Sequence, residues 1–155
     1  MAKRIVCIFL FSFCFLTAGC ESKPHVEWQS YSPEKMAEAR SGGTPVIAYF
    51  YAAWCGPCMQ LKYNTFSDPN VIQALKPLAR LKVDMSFTHS EKVQEIAHLF
   101  HVSSLPTIIF FDSLGNEVSR VRGFFPAGDF LNYFEGIAKR LQPEVEVPVS
   151  QVQNI

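Results

Sequence analysis

Two cysteines three positions apart carry the clearest chemistry in this sequence. Cys55 and Cys58 lie in the stretch Trp54-Cys55-Gly56-Pro57-Cys58, after an apolar run and before residues of helical character. A thiol at the start of a helix faces unpaired backbone N–H groups, which lower its pKa and stabilise its thiolate. The second thiol lies one turn further along the same face, near enough to attack a mixed disulfide on the first. The pair therefore predicts thiol-disulfide exchange, with Cys55 as nucleophile and Cys58 as resolving thiol.

Cysteine pairs with this spacing also occur in metal sites. A structural zinc site needs two further cysteine or histidine ligands, and the four histidines provide no second pair with such spacing (His25, His89, His98, His101). No flavin or nicotinamide motif is visible either, so we expect neither a metal nor a cofactor. A Cu(I) carrier that uses the same two thiolates remains open, because thiolates favour Cu(I).

The first twenty residues differ from the rest of the chain. Lys3 and Arg4 precede an apolar run over 5–16, which is shorter than the ~20 residues that a membrane-spanning helix needs. This pattern predicts a signal peptide over 1–19. The stretch Leu16-Thr17-Ala18-Gly19-Cys20 resembles a bacterial lipobox, although its leucine lies four places before the cysteine and not the usual three. It predicts lipid on Cys20, with cleavage elsewhere in these small residues as the alternative.

Cysteine usage and charge restrict the partners. Cys7 and Cys14 lie in the signal peptide and Cys20 is assigned to lipid, so Cys55 and Cys58 remain, too few for a disulfide-stapled scaffold. The 14 basic and 14 acidic residues give no nucleic-acid footprint. We expect an exported protein, anchored at the periplasmic face of a bacterial membrane, whose partners are the disulfides or thiols of other exported proteins.

The elements that would position the cysteines follow from apolar runs and turn residues. Residues 20–31 are polar and predict a tether, 32–142 a single domain, and 143–155 a loose tail. Alternating strands and helices predict an α/β domain with parallel pairing between its first strands. The predicted strands are 46–52, 79–85, 107–111 and 117–122, and the predicted helices are 32–40, 57–66, 71–75, 91–100 and 129–141. The helix over 91–100 is expected to bury one face made of Val93, Ile96, Ala97, Leu99 and Phe100.

Residues 46–134 resemble thioredoxins, and look closest to the C-terminal thioredoxin domain of DsbD-type thiol-disulfide interchange proteins. The resemblance is carried by five stretches, namely 54–58, Asn64-Thr65-Phe66-Ser67-Asp68-Pro69, Leu105-Pro106-Thr107, Phe110-Phe111-Asp112 and Gly123-Phe124. It implies a thioredoxin fold, in which helices flank a central mixed β-sheet.

The resemblance also implies roles for individual residues. The Leu105–Pro106 peptide bond would be cis and packed against the cysteines, and a groove beside them would bind an extended substrate segment. The groove residues implied in this way are Trp54, Gly56, Pro57, Leu105, Pro106, Gly123 and Phe124. Leu105 and Phe124 have the alternative of being ordinary core residues. Tyr49 stands where relatives commonly bury an acid that helps to move the proton of the resolving thiol.

The direction of exchange is predicted from the motif alone. Cys-Gly-Pro-Cys in thioredoxin has a reduction potential of about −270 mV, whereas the potential of the oxidant DsbA is about −120 mV. We therefore expect a reductase that is recharged by a transmembrane electron donor. An oxidant or isomerase of the same fold is the alternative.

Overall fold

The computed structural model of the protein describes residues 24–142. The predicted signal peptide, the lipidation site Cys20 and the tail over 143–155 lie outside this range. Within the described residues, no helix is long and apolar enough to span a membrane.

One five-stranded mixed sheet runs through the centre of the molecule. Its strands are β1 (Gln29–Ser30), β2 (Val46–Tyr51), β3 (Ala79–Asp84), β4 (Thr107–Phe111) and β5 (Glu117–Arg122), in the spatial order β1-β3-β2-β4-β5. Strands β1 and β2 are parallel to β3, whereas β4 is antiparallel to both β2 and β5. This arrangement confirms the predicted mixed sheet and the parallel pairing of the early strands.

Helices cover both faces of the sheet. They are α1 (Pro33–Ser41), α2 (Gly56–Gln60), α3 (Pro69–Leu75), α4 (Glu91–Leu99) and α5 (Ala127–Leu141), and α2 continues into the π-helix Leu61–Thr65. The side chain of Ser32 accepts the Lys35 N–H and begins α1, as Asp68 accepts the Asn70 and Val71 N–H groups and begins α3. Proline follows both caps, where a missing N–H costs nothing.

Alternation along β2 divides the core into two layers. Ile47 and Tyr49 face the layer that contains α2, α3 and α5, while Ala48 and Phe50 face the layer of α1 and α4. These four side chains are 0–5% exposed, because both faces of this central strand are covered. The cysteine pair belongs to the first layer.

The segment before α1 joins the fold and does not behave as the predicted tether. Val26 is 5% exposed, and its N–H donates to the Phe66 carbonyl at 2.8 Å. The indole of Trp28 packs on the Tyr49 ring with centroids 5.3 Å apart, and β1 pairs with β3. The folded part of the chain therefore begins before Ser32, because these few apolar residues close one side of the first layer.

Helix α4 corrects a second prediction. Val93, Ile96, Ala97 and Phe100 pack against the core as expected, but Leu99 is 64% exposed. The expectation placed Leu99 on the buried face together with Ile96, three residues earlier. The buried stripe is narrower than the sequence pattern suggested, and it excludes this leucine.

Candidate active site

Strand register brings four loops together at one edge of the sheet. Because β2 and β3 are parallel, their carboxyl ends lie side by side, and Trp54 and Ser86 follow them. Thr107 at the start of β4 pairs with Phe50 near the end of β2, and it also pairs with Arg122 of β5. The residues just outside these pairs, from 53 to 58, 105 to 106 and 123, therefore lie at the same edge.

The two cysteines form a disulfide at the start of α2. Their Cα atoms are 5.2 Å apart, and Cys55 is the N-cap residue, whose Sγ accepts the Cys58 N–H at 3.3 Å. Cys55 is 5% exposed and Cys58 is fully buried. A partner can therefore reach the first sulfur more readily than the second, and the backbone N–H at the helix start is placed to stabilise a thiolate on that first sulfur.

The Leu105–Pro106 peptide bond is cis, as the resemblance implied. The Gly123 N–H donates to the Pro106 carbonyl at 2.9 Å, so the loop after β5 is tied to this bond. Gly123 has φ of +86°, a left-handed conformation that L side chains rarely adopt. Leu105 packs against the apolar cluster that includes Cys55 and Cys58.

A pocket of about 290 Å³ lies beside the cysteine pair. Trp54 and Leu105 line it together with residues of α4 and of the loops after β3 and α4, among them Met85, Thr88 and Ser104. Trp54 is 64% exposed, so its ring forms an open wall. The structure thus brings two of the predicted groove residues to one surface depression.

Ser86 holds the Trp54 loop in place and was missed by the sequence analysis. Its carbonyl accepts the Trp54 Nε1–H at 3.1 Å, and its hydroxyl accepts the Ala53 N–H at 2.8 Å. Asp84 in turn accepts the Ser86 N–H at 2.9 Å. The parallel pairing predicted for the first strands was a signal for this contact, since residues that follow neighbouring parallel strands meet at one edge.

The remaining predicted groove residues differ in their placement. Gly56 and Pro57 are exposed at the start of α2. Pro106 is buried, and Gly123 contacts it through the hydrogen bond described above. Phe124 is 36% exposed and is linked to the site only as the neighbour of Gly123 in the chain.

Tyr49 lies directly beneath Cys58. Its ring is 5% exposed, and its hydroxyl donates to the Cys58 carbonyl at 3.1 Å. Burial raises the pKa of this phenol well above its ordinary value, and the neighbouring Tyr51 raises it further. Tyr49 is therefore a neutral hydrogen-bond donor at neutral pH and does not act as a base there.

The site shows no metal centre in the part of the chain that is described. Among residues 24–142, no group of three or more histidine, cysteine, aspartate or glutamate side chains converges on a point that could hold a metal ion. What the arrangement provides is a redox-active cysteine pair that directly follows Trp54, a residue lining the groove.

Comparisons with known proteins agree with this geometry. A family model described as a thioredoxin-like domain matches residues 32–138. The thiol:disulfide interchange protein DsbD of Salmonella choleraesuis (strain SC-B67) is 35% identical over 123 residues, which are 76% of this chain and 22% of that protein. The chain thus spans less than a quarter of the length of this relative.

Solved structures support the same fold. A thioredoxin from Thermus thermophilus superimposes with a TM-score of 0.63 and 27% identity, covering 76% of this chain and 91% of the thioredoxin. The oxidised C-terminal domain of DsbD from Neisseria meningitidis gives a TM-score of 0.60 at 21% identity, covering 71% of this chain and 98% of that domain. The second match concerns the fold alone.

Proposed function

Because this chain belongs to the thioredoxin-like domain family and is a thiol-disulfide oxidoreductase related to the C-terminal domain of DsbD, we propose that it reduces disulfides of exported proteins. The observation that carries the proposal is the Cys55–Cys58 disulfide at the start of α2, beside the Leu105–Pro106 bond. Cys55 is 5% exposed, whereas Cys58 is fully buried. That asymmetry suits a nucleophile with a resolving partner.

The exchange proceeds in two steps. In the reduced protein the Cys55 thiolate attacks a substrate disulfide, forms a mixed disulfide and releases one substrate thiolate, which takes up a proton. The Cys58 thiolate then attacks Cys55 Sγ, which forms the Cys55–Cys58 disulfide and releases the second substrate thiol. Two electrons pass from the protein to the substrate, and the oxidised product is the state seen in the structure.

The groove would hold the substrate during both steps. An extended peptide can pair with exposed backbone near Leu105 and Pro106 while its disulfide lies over Cys55. Trp54 and Leu105 provide apolar contacts, and Gly123 fixes the loop that carries Phe124. Gly56 and Pro57 border the approach to the sulfur.

The reductive direction rests on analogy with other enzymes that carry Cys-Gly-Pro-Cys. That motif favours a low potential in thioredoxin, about −270 mV, so the dithiol form is a good electron donor. An exported reductase must be recharged by thiols in its own compartment. We propose a membrane-embedded electron donor, and a lipid on Cys20 that keeps this domain at the same membrane.

The redox state of the pair in living cells tests the direction. We expect a largely reduced pair in rapidly acid-quenched cells and a measured potential closer to −270 than to −120 mV, both approximate reference values. A largely oxidised pair with a high potential would instead assign the protein to the oxidants or isomerases. A reduced pair that binds Cu(I) tightly but exchanges no disulfides would assign it to copper carriers.

Trapping identifies the clients. A Cys58→Ser variant has no resolving thiol, so mixed disulfides on Cys55 should accumulate and be released by reductant. The matched control is Cys55→Ser, which keeps one cysteine but places it in the buried position, and which should trap far less protein. Equal trapping by both variants would argue against Cys55 as the nucleophile.

A further inference from the structure

A second cavity lies behind the cysteine pair, in the same layer as α2. Its volume is about 240 Å³, and its walls are largely aromatic, with Trp28, Tyr49 and Tyr51 among them. It shares no lining residue with the groove beside Trp54 and Leu105. The exchange reaction proposed above makes no use of this space.

The cavity exists because no helix among residues 24–142 covers one end of β3. Side chains at Arg80, Lys82 and Asp84 face the first layer, opposite the buried side of the strand. The N-terminal segment with Trp28 reaches over this part of the sheet from one side, and the π-helix approaches from the other. The space between them stays open above β2 and β3.

Lys82 is a charged residue of this cavity whose ammonium has no hydrogen-bonding or ionic partner among the described residues. It pairs in register with Tyr49 and lines the cavity, yet no hydrogen bond or ion pair joins its ammonium to any group among residues 24–142. Arg80, two residues earlier on the same face of the strand, does have hydrogen-bonding partners. The Arg80 guanidinium donates to the carbonyls of Glu27, Leu75 and Lys76.

The charges around the cavity have one sign. Lys82 and Lys62 contribute to its lining, and no acidic residue does. The nearest acid on the strand, Asp84, accepts hydrogen bonds from the Ser86 N–H at 2.9 Å and from the Tyr51 hydroxyl at 3.4 Å. An anion entering the cavity would meet the ammonium groups of Lys82 and Lys62, neither of which forms a salt bridge among residues 24–142.

The aromatic side chains that line the cavity favour an anion of a particular shape. The rings of Tyr49 and Tyr51 stack on each other, with an interplanar angle of 21° and centroids 5.4 Å apart, and the Trp28 indole packs on Tyr49 with centroids 5.3 Å apart, so the three rings form one continuous aromatic wall. Flat apolar surfaces of this kind favour a planar ring. The volume is below the roughly 300–1,000 Å³ of pockets for drug-sized molecules, so it fits a ligand with one ring.

We propose that this cavity binds a small single-ring aromatic carboxylate. The ring lies against the wall formed by Trp28, Tyr49 and Tyr51, and the carboxylate is bound by the ammonium group of Lys82, with Lys62 at the rim. Such a ligand contacts Tyr49, whose hydroxyl donates to the Cys58 carbonyl, without entering the substrate groove. The site is thus adjacent to the redox centre but separate from it.

Nuclear magnetic resonance titration of the full chain in its oxidised form tests the proposal, with benzoate as the probe. We expect saturable shifts at the Trp28 indole and at the amides of Tyr49, Tyr51 and Lys82. Benzamide, which has the same ring without the charge, should bind at least about tenfold more weakly, the order expected when a charge-assisted hydrogen bond is lost.

Two lysine variants make the test specific. Lys82→Gln should weaken benzoate binding by at least about tenfold, and Lys62→Gln by less, because Lys62 is exposed and its ammonium lies 5.0 Å from the Tyr63 ring. Lys139→Gln is the control, since it removes the same charge from an exposed position on α5 that does not line the cavity. It should leave the affinity unchanged.

The proposal is overturned if benzoate gives no saturable shifts, if benzamide binds equally well, or if Lys82→Gln and Lys139→Gln bind alike. Shifts confined to Trp54 and Leu105 would also overturn it, because they would place the ligand in the substrate groove. The measurement uses the disulfide form and needs no exchange activity. Its result is therefore independent of the proposed reductase function.

Discussion

Cys55 and Cys58 differ in burial and in hydrogen bonding although they are three residues apart. In the reduced protein we expect alkylation at mildly acidic pH to label Cys55 first, because Cys55 keeps some exposure and its sulfur accepts the Cys58 N–H, whereas Cys58 is fully buried. Mass spectrometry of a short iodoacetamide pulse measures the order. In the Cys55→Ser control, labelling of Cys58 should stay slow. Faster labelling of Cys58 than of Cys55 in the wild type would reverse the assigned roles.

The buried, neutral side chain of Tyr49 leads to a prediction about which step of the proposed reaction is slow. Resolution requires a Cys58 thiolate, and burial raises the pKa of Tyr49 so that this phenol cannot take the proton near neutral pH. We therefore expect mixed-disulfide decay to limit turnover and to accelerate as pH rises, since deprotonation of the thiol becomes easier. Tyr49→Asp, which places a carboxylate beneath Cys58, should accelerate decay at neutral pH on the order of tenfold.

Tyr49→Phe is the matched control for that comparison. It removes the hydrogen bond to the Cys58 carbonyl, which should reduce the free energy of unfolding by about 1 kcal/mol, but it should leave the decay rate nearly unchanged. Stopped-flow measurements from neutral to mildly alkaline pH compare the three proteins. If wild type and Tyr49→Asp decay at the same rate throughout, another group or water carries the proton.

Among the helices and strands, the sequence predicted those that have a local residue pattern, and it missed those that depend on contacts with neighbouring elements. Strand β2 is recognisable as an uninterrupted apolar run, because a strand covered on both faces has no polar side. Strand β1 has only two exposed polar residues, Gln29 and Ser30, and exists because the edge of β3 offers backbone partners. The π-helix is likewise invisible in residue types, since its wider hydrogen bonding is set by packing around it.

Gly123 and Gly136 allow the effect of backbone conformation on stability to be tested without steric crowding. A Cβ added at Gly123 or at Gly136 would meet no atom within 4 Å, so neither site is crowded. Gly123 has φ of +86°, and Gly123→Ala should therefore reduce the free energy of unfolding by about 1–2 kcal/mol. Gly136 lies inside α5, where Gly136→Ala should increase it by about 0.8–1 kcal/mol.

Chemical denaturation of both variants under the same conditions measures this difference. The two changes in the free energy of unfolding should have opposite signs. At Gly136, alanine loses less backbone conformational entropy than glycine when the helix forms, whereas at Gly123 alanine strains the backbone. Gly123→Ala should in addition slow substrate exchange, since the Gly123 N–H holds the Pro106 carbonyl at 2.9 Å. A neutral effect at Gly123 would mean that the loop relaxes to another conformation without loss.

For the whole molecule, the cysteine pair was predictable because its chemistry is local, and the groove was predictable only in part. The cis bond and the groove residues came from the resemblance to thioredoxins and not from spacing. Ser86 required the knowledge that the ends of β2 and β3 meet, and the role of Tyr49 as a donor to the Cys58 carbonyl required three-dimensional packing. Sequence patterns thus identified the cysteine pair, whereas the residues that hold it in place could be identified only from the structure.

The attachment of the molecule to a membrane is the prediction that lies outside the described residues. The charged start, the short apolar run and the small residues before Cys20 predict cleavage at that cysteine and acylation of it. One acyl chain binds a bilayer only marginally, so we expect more than one, and firm partitioning into detergent. Intact-mass and N-terminal peptide measurements should show a chain that begins at Cys20 with added lipid. A Cys20→Ser variant should instead be released from membranes while it keeps its exchange activity, because the disulfide that carries the proposed exchange joins Cys55 and Cys58. An unmodified N-terminus at Cys20, or a Cys20→Ser protein that stays membrane-bound, would show that some other feature of the chain holds it there.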